Sequence, residues 1–138
     1  MHSIKFRGIQ AKNTKWIYGS LLTIPYDRAF IIQWDDYKMY INYKDKEVVS
    51  STVGQYTGLK DRNGKDIYEG DIVNVSKEYG GNAYIPLVVD FKDGCFILRN
   101  TNYMDSHILI TEVDFKQVYE IIGNIYDNIK LLKEINNK

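Results

Sequence analysis

The chain predicts a mainly β fold, α+β only through one short helix: an N-terminal β meander, then a small, partly open β-barrel, then a C-terminal helix. Three observations carry this. Tyr occurs 12 times and, with five Phe, two Trp and abundant Ile and Val, makes a vocabulary of strand formers. Apolar and polar residues alternate over short runs, the period that places successive side chains on opposite faces of a strand. Compact turn signals separate the runs, Asn63-Gly64 and Asp93-Gly94 above all.

In order, "SIKFRGI" sets Ile4 and Phe6 against Lys5 and Arg7 and reads as the first strand. After the polar turn "AKNTK", the run "KWIYGSLLTI" reads as the second. "AFIIQW" and "KMYINY" flank Asp35, Asp36 and Tyr37 and read as a hairpin; its alternation puts Tyr37, Met39, Ile41 and Tyr43 on one face and Tyr40 and Asn42 on the other. Apolar residues on both faces call for cover on both sides. Further on, "DIVNV", "IPLVVDF", "CFILR", "HILITEVDF" and "VYEIIGNIY" give about five short strands between Asp71 and Tyr126, the spacing of a small barrel. In "DNIKLLKEINNK", Ile129, Leu132 and Ile135 recur at helical spacing behind Asp127, a residue type that caps helix N-termini. The expected organisation is an N-terminal β region over 1–50, a barrel region over 51–126, and a helix with its tail over 127–138.

The stretch "TVGQYTGLKDRNGKDIYEGDIVNV" carries Gly54, Gly58, Gly64 and Gly70. Asn63-Gly64 tolerates positive φ in a tight turn, and Gly70 supplies a bend ahead of "DIVNV". A calcium loop fails here, because Asp61 and Asn63 are followed by Lys65 and Gly64 stands two places early. A phosphate loop fails as well: Gly64-Lys65 is followed by Asp66, and Leu59 stands where the first glycine belongs. The glycines therefore read as geometry, the mould of a fold.

The segment "VGQYTGLKDRNGKDIYEGDIV" resembles the central signature of the YopX family, and "IKFRGIQAKNTKWIYG" and "VYEIIGNIYDN" resemble its two outer blocks, in order and at suitable distances. Relatives commonly carry an Ala-Trp-Asp run where this chain has Gly8-Ile9-Gln10, so the role of that tryptophan is absent unless Trp16 takes it. The resemblance implies a protein encoded by phages or prophages of Gram-positive bacteria, with an SH3-like barrel in its C-terminal part and a tendency to self-associate. It implies no biochemical activity and carries over no catalytic residue.

Composition narrows the function classes. At 138 residues, with 44% hydrophobic and 26% charged residues, the chain is long enough to bury roughly two-thirds of its unfolded surface. No window of about 18 apolar residues could cross a bilayer. "MHSIKFRG" lacks the apolar core of a secretory signal, so the expected location is the cytoplasm and no membrane partner is expected. Cys95 is the only cysteine, which excludes an internal disulfide, and it reads as a small buried hydrophobe. His2 and His107, the only imidazoles, lie near no nucleophile motif. Glu69 with Asp71 and Glu112 with Asp114 have the spacing of one strand face, which solvated strands produce routinely. The expectation is thus no enzyme, no metal and no cofactor.

Two binding classes remain. Lys5, Arg7, Lys12 and Lys15, interleaved with Phe6 and Trp16, could meet phosphates beside a stacking ring. Yet 18 basic residues balance 18 acidic ones, unlike a dedicated nucleic-acid binder, so this is the less favoured alternative. Protein binding is favoured: self-association first, then an unidentified host or phage protein. Tyr is what interface cores use, and the candidate surface comprises Tyr37, Tyr40, Tyr43, Lys60, Arg62 and Lys65, with Tyr56, Tyr68, Tyr79, Tyr84 and Tyr103 as further aromatic candidates. Residues 1–69 carry 11 basic and 8 acidic side chains against 7 and 10 in 70–138, an asymmetry that favours docking of unlike halves.

Overall fold

A computed structural model of the chain describes residues 3–33, 43–75, 86–100, 107–109 and 119–136. It is mainly β and divides into two compact units, Met1–Tyr56 and Thr57–Lys138.

In the first unit the alternating run makes β1 (Phe6–Ile9), which pairs antiparallel with β2 (Trp16–Ile24) from Phe6↔Gly19 to Ile9↔Trp16. Strand β3 (Arg28–Ile32) pairs with β2 from Ser20↔Ile32 to Ile24↔Arg28, so the three form the expected meander. The short β4 (Glu47–Val48) follows on β3, and the first residues of β5 (Gly54–Lys60) add to the free side of β1, giving the order β4-β3-β2-β1-β5. The sheet also curls back on itself: Val48 bridges Gln10, the Ala11 amide donates to Glu47 O at 3.1 Å and the Val49 amide to Ile9 O at 2.8 Å. Inside the curl lie Ile17, Ala29, Ile31 and Val48, with Phe6, Leu21 and Val53 against them. Gly19 is required by this curvature, because a Cβ there would sit 2.1 Å from the carbonyl oxygen of Ile32.

The hairpin expected around Asp35 and Asp36 falls at 34–42, outside the described residues. Tyr43, expected at the end of a strand, instead opens a 3-10 turn over Tyr43–Lys46.

The second unit holds the rest of β5, which turns at 61–65 into β6 (Asp66–Tyr68), then β7 (Asp71–Val75), β8 (Leu87–Lys92), β9 (Cys95–Asn100), β10 (His107–Leu109) and β11 (Tyr119–Asn124). The last five strands form one antiparallel sheet in the order β10-β9-β8-β7-β11. Among the described residues this sheet is open, with β10 and β11 at opposite edges and no closed barrel. Asp93 and Gly94, with φ of 53° and 83°, close the two-residue β8–β9 hairpin in register from Leu87↔Asn100 to Lys92↔Cys95, as Asp-Gly predicts. Cys95 is half-buried rather than buried, since it starts β9 beside this turn, and its thiol donates to Lys92 O at 3.3 Å. Glu69 does not share a strand face with Asp71. It lies in the turn between β6 and β7, where the Tyr68 amide donates to Asp71 Oδ2 at 2.8 Å.

Both faces of the sheet are covered, which is why "DIV" and "LVV" are continuous apolar or buried runs rather than alternating ones. One face packs Val73, Leu87, Val89 and Leu98 with Ile67 of the β5–β6 hairpin and the partly buried Leu59. The other packs Ile72 and Val88 under Leu132 of the C-terminal helix α1 (Ile129–Asn136). The helix begins one residue after Asn128, so Asn128 and not Asp127 holds the position before it; Asp127 Oδ2 instead accepts from Asn124 Nδ2 at 3.1 Å. Leu132 packs on the sheet as its spacing predicts, joined by the partly buried Leu131, whereas Ile129 is exposed and the side chain of Ile135 lies outside the described residues.

Candidate interaction surface

The glycine-rich stretch folds into a loop built around one carboxylate. Asp61 is 2% exposed, and its Oδ1 accepts from the amides of Asn63 and Lys65, both at 2.9 Å. Its Oδ2 accepts from the Ile121 amide on β11 at 3.1 Å. The Arg62 amide donates to Tyr119 O at 3.0 Å and the Asn63 side-chain amide to Glu120 Oε1 at 3.2 Å. Loop 61–65 thus covers the outer edge of β11, the side that does not pair with β7, and blunts an edge that would otherwise offer free backbone groups to another strand. Gly58, Gly64 and Gly70 have φ of 86°, 81° and 92°, the left-handed region in which a side chain is strained. The loop is a mould, as its spacing predicts, and Asp61 is the residue that sequence reasoning passed over.

A different feature of the first unit is chemically open. The β2–β3 hairpin turns at Pro25, Tyr26 and Asp27, and both Tyr26 and Asp27 hold positive φ, 73° and 60°, without being glycine. Such backbone costs on the order of 1 kcal/mol per residue and persists where the surroundings over-determine it. Tyr26 is 96% exposed. Beneath the turn lies an open groove of about 550 Å³, with an apolar floor of Leu21, Ala29 and Val53 and hydroxyls from Thr23, Ser50 and Ser51 on its rim. Arg28, the first residue of β3 after the turn, joins Glu47 of β4 through a bond of 2.8 Å from Nε to Oε2; that bond raises the arginine pKa and lowers that of the glutamate.

A family model described as YopX protein matches residues 5–133, nearly the whole chain. The chain belongs to the YopX family. The crystal structure of protein EF1440 from Enterococcus faecalis is similar in fold, with a TM-score of 0.60 and 20% identity over 96% of this chain and 99% of that one. No curated protein matches the sequence.

In this YopX chain, the residues predicted to form the interaction surface divide between the units. Tyr37 and Tyr40 lie outside the described residues, as do Tyr79, Tyr84 and Tyr103. Tyr43 is half-exposed in the first unit. In the second unit, Lys60, Arg62 and Lys65 are exposed around the β5–β6 turn, and Lys60 Nζ pairs with Asp66 Oδ1 at 2.7 Å. Tyr56 and Tyr68 are core residues, 8% and 3% exposed, and do not belong to a surface. Both sit on strands buried on the side they face, which alternation alone could not show. Tyr26 was missed; the signal in the sequence was an aromatic inside a Pro-Tyr-Asp turn, where a polar residue is usual.

Of the N-terminal cations, Arg7 is buried, Lys5 is half-buried, and Lys12 and Lys15 are exposed. Arg7 is buried and stacks 4.6 Å from the Trp16 ring centroid, and Lys5 lies 4.6 Å from that of Tyr56. Lys12 Nζ pairs with Asp45 Oδ1 at 3.4 Å. The Trp16 and Tyr56 rings thus each carry a cation of the protein's own first strand region. No cluster of three or more His, Cys, Asp or Glu side chains placed to hold a metal occurs among the described residues. Nor, among them, is any helix long and apolar enough to cross a membrane.

Proposed function

We propose that this YopX protein is a phage or prophage accessory protein that acts in the host cytoplasm by binding, first to copies of itself and then to a host or phage protein, without catalysing a reaction. The carrying observation is Tyr26: a fully exposed aromatic fixed in a positive-φ turn above an open apolar groove. Aromatic side chains bury a large area at little entropic cost, and a turn that fixes their backbone lowers that cost further. A second copy is the favoured first occupant, because residues 1–69 and 70–138 carry opposite net charge and so attract one another between chains. Lys60, Arg62 and Lys65 belong to the basic half and Tyr43 lies in the same unit as the groove, so these four predicted surface residues fit this reading.

The test is the oligomeric state of wild type and Tyr26→Ser by sedimentation velocity at micromolar concentration. The expected result is association of wild type, weakened several-fold in the variant at unchanged melting temperature. A wild-type protein that is monomeric throughout overturns self-association, and an equally associated variant removes Tyr26 from the interface.

A further inference from the structure

The loop that covers β11 contains Asn63-Gly64, exposed at its tip. In such a pair the backbone nitrogen of Gly64 can attack the side-chain carbonyl carbon of Asn63, because glycine has no Cβ to obstruct the approach. The new bond closes a five-membered imide, the bond from Cγ to Nδ2 breaks, and ammonia leaves with the proton given up by Gly64. Water then adds across either imide bond, leaving aspartate or isoaspartate at 63. The fold engages both reacting groups in hydrogen bonds. The Gly64 amide donates to Asp61 O at 3.0 Å, which ties up the attacking nitrogen, and Asn63 Nδ2 donates to Glu120 Oε1 at 3.2 Å, which ties up the leaving group.

We propose that Asn63 is a deamidation site whose reaction is gated by release of loop 61–65 from β11, and that its product prevents the loop from closing again. After reaction, position 63 has an oxygen where it had the amide donor. A carboxylate then faces Glu120 and lies near Asp61, the anchor of the loop. Repulsion among these carboxylates opens the cover, and the Ile121 amide loses its acceptor on Asp61. Spontaneous chemistry at one asparagine would thereby convert a covered sheet edge into an uncovered one. This inference does not depend on Tyr26 or on self-association.

Peptide mass spectrometry of the full-length protein, aged at neutral pH in buffer and in denaturing urea, tests the gate. Conversion at Asn63 is expected in both, slower by about tenfold or more in the folded protein, because the rate is multiplied by the fraction of open loop. Glu120→Ala should raise the folded rate, and Gly64→Ala should suppress conversion in urea. Equal rates in buffer and urea would show that the loop gates nothing, and no conversion in urea would show that the site does not react; either overturns the proposal. The consequence is read separately in Asn63→Asp, whose Ile121 amide should exchange with solvent hydrogen about tenfold faster than in wild type. Unchanged exchange at Ile121 refutes the uncovering.

Discussion

At the scale of single residues, the chain's main anchors are groups whose importance depends on backbone they do not belong to. Asp61 satisfies three backbone amides at 2.9 to 3.1 Å, two within its own loop and one from β11. Asp61→Ala should therefore destabilise the protein by about 3 kcal/mol, as amides lose a charged acceptor in a buried site, and chemical denaturation measures it. Gly64 acts through conformation alone: a Cβ there meets nothing within 4 Å, yet φ is 81°. Gly64→Ala should cost about 1 kcal/mol, and a Gly64→Asn change should recover part of it, since asparagine tolerates this region better. An unchanged melting temperature in Gly64→Ala would show that the loop is not a mould. The Asn63-Gly64 turn was legible from two adjacent letters because φ preference is local. The role of Asp61 was not, because its third donor lies 60 residues away.

At the scale of elements, the structure follows the sequence where alternation and turn chemistry agree. Strands β1, β2, β3, β7, β8 and β9 fall on their predicted runs, and the Asp93-Gly94 hairpin forms in the register its turn demands. Strands β5 and β6 were harder to read, since glycine and charge dilute their apolar pattern; they are strands because β1 and the hairpin itself supply the hydrogen bonds. The close approach of β2 and β3 makes Gly19→Ala a severe change, expected to cost more than about 2 kcal/mol through a clash with the Ile32 carbonyl. On β11, burial raises the pKa of Tyr119 above its ordinary value near 10.0. A raised folded pKa stabilises the fold fully below the unfolded value and loses that contribution as pH rises through the folded one. This contribution should thus hold from neutral pH to about pH 10 and be lost above it, a fall that is less steep in Tyr119→Phe, as thermal melts across that range would show.

At the scale of the whole molecule, the proposed self-association rests on charge as well as on Tyr26. Opposite net charge in the two halves predicts that raising salt from low to physiological strength, where screening acts over about 8 Å, weakens association; light scattering across that range checks it. A salt-independent assembly would place its energy in apolar contacts alone. Family membership was legible at this scale, because the three blocks keep their order along nearly the whole chain. By itself the sequence determined the mainly β class, the turns and the family, all of which depend on neighbouring residues, on their period, or on motif order. Tertiary structure decided that Tyr56 and Tyr68 are core and Tyr26 is exposed, why Asp61 matters, and that the second sheet stays open among the described residues. The reason is physical: burial and hydrogen-bond partnership belong to pairs of distant segments, and a strand's own alternation does not say which face another segment will cover.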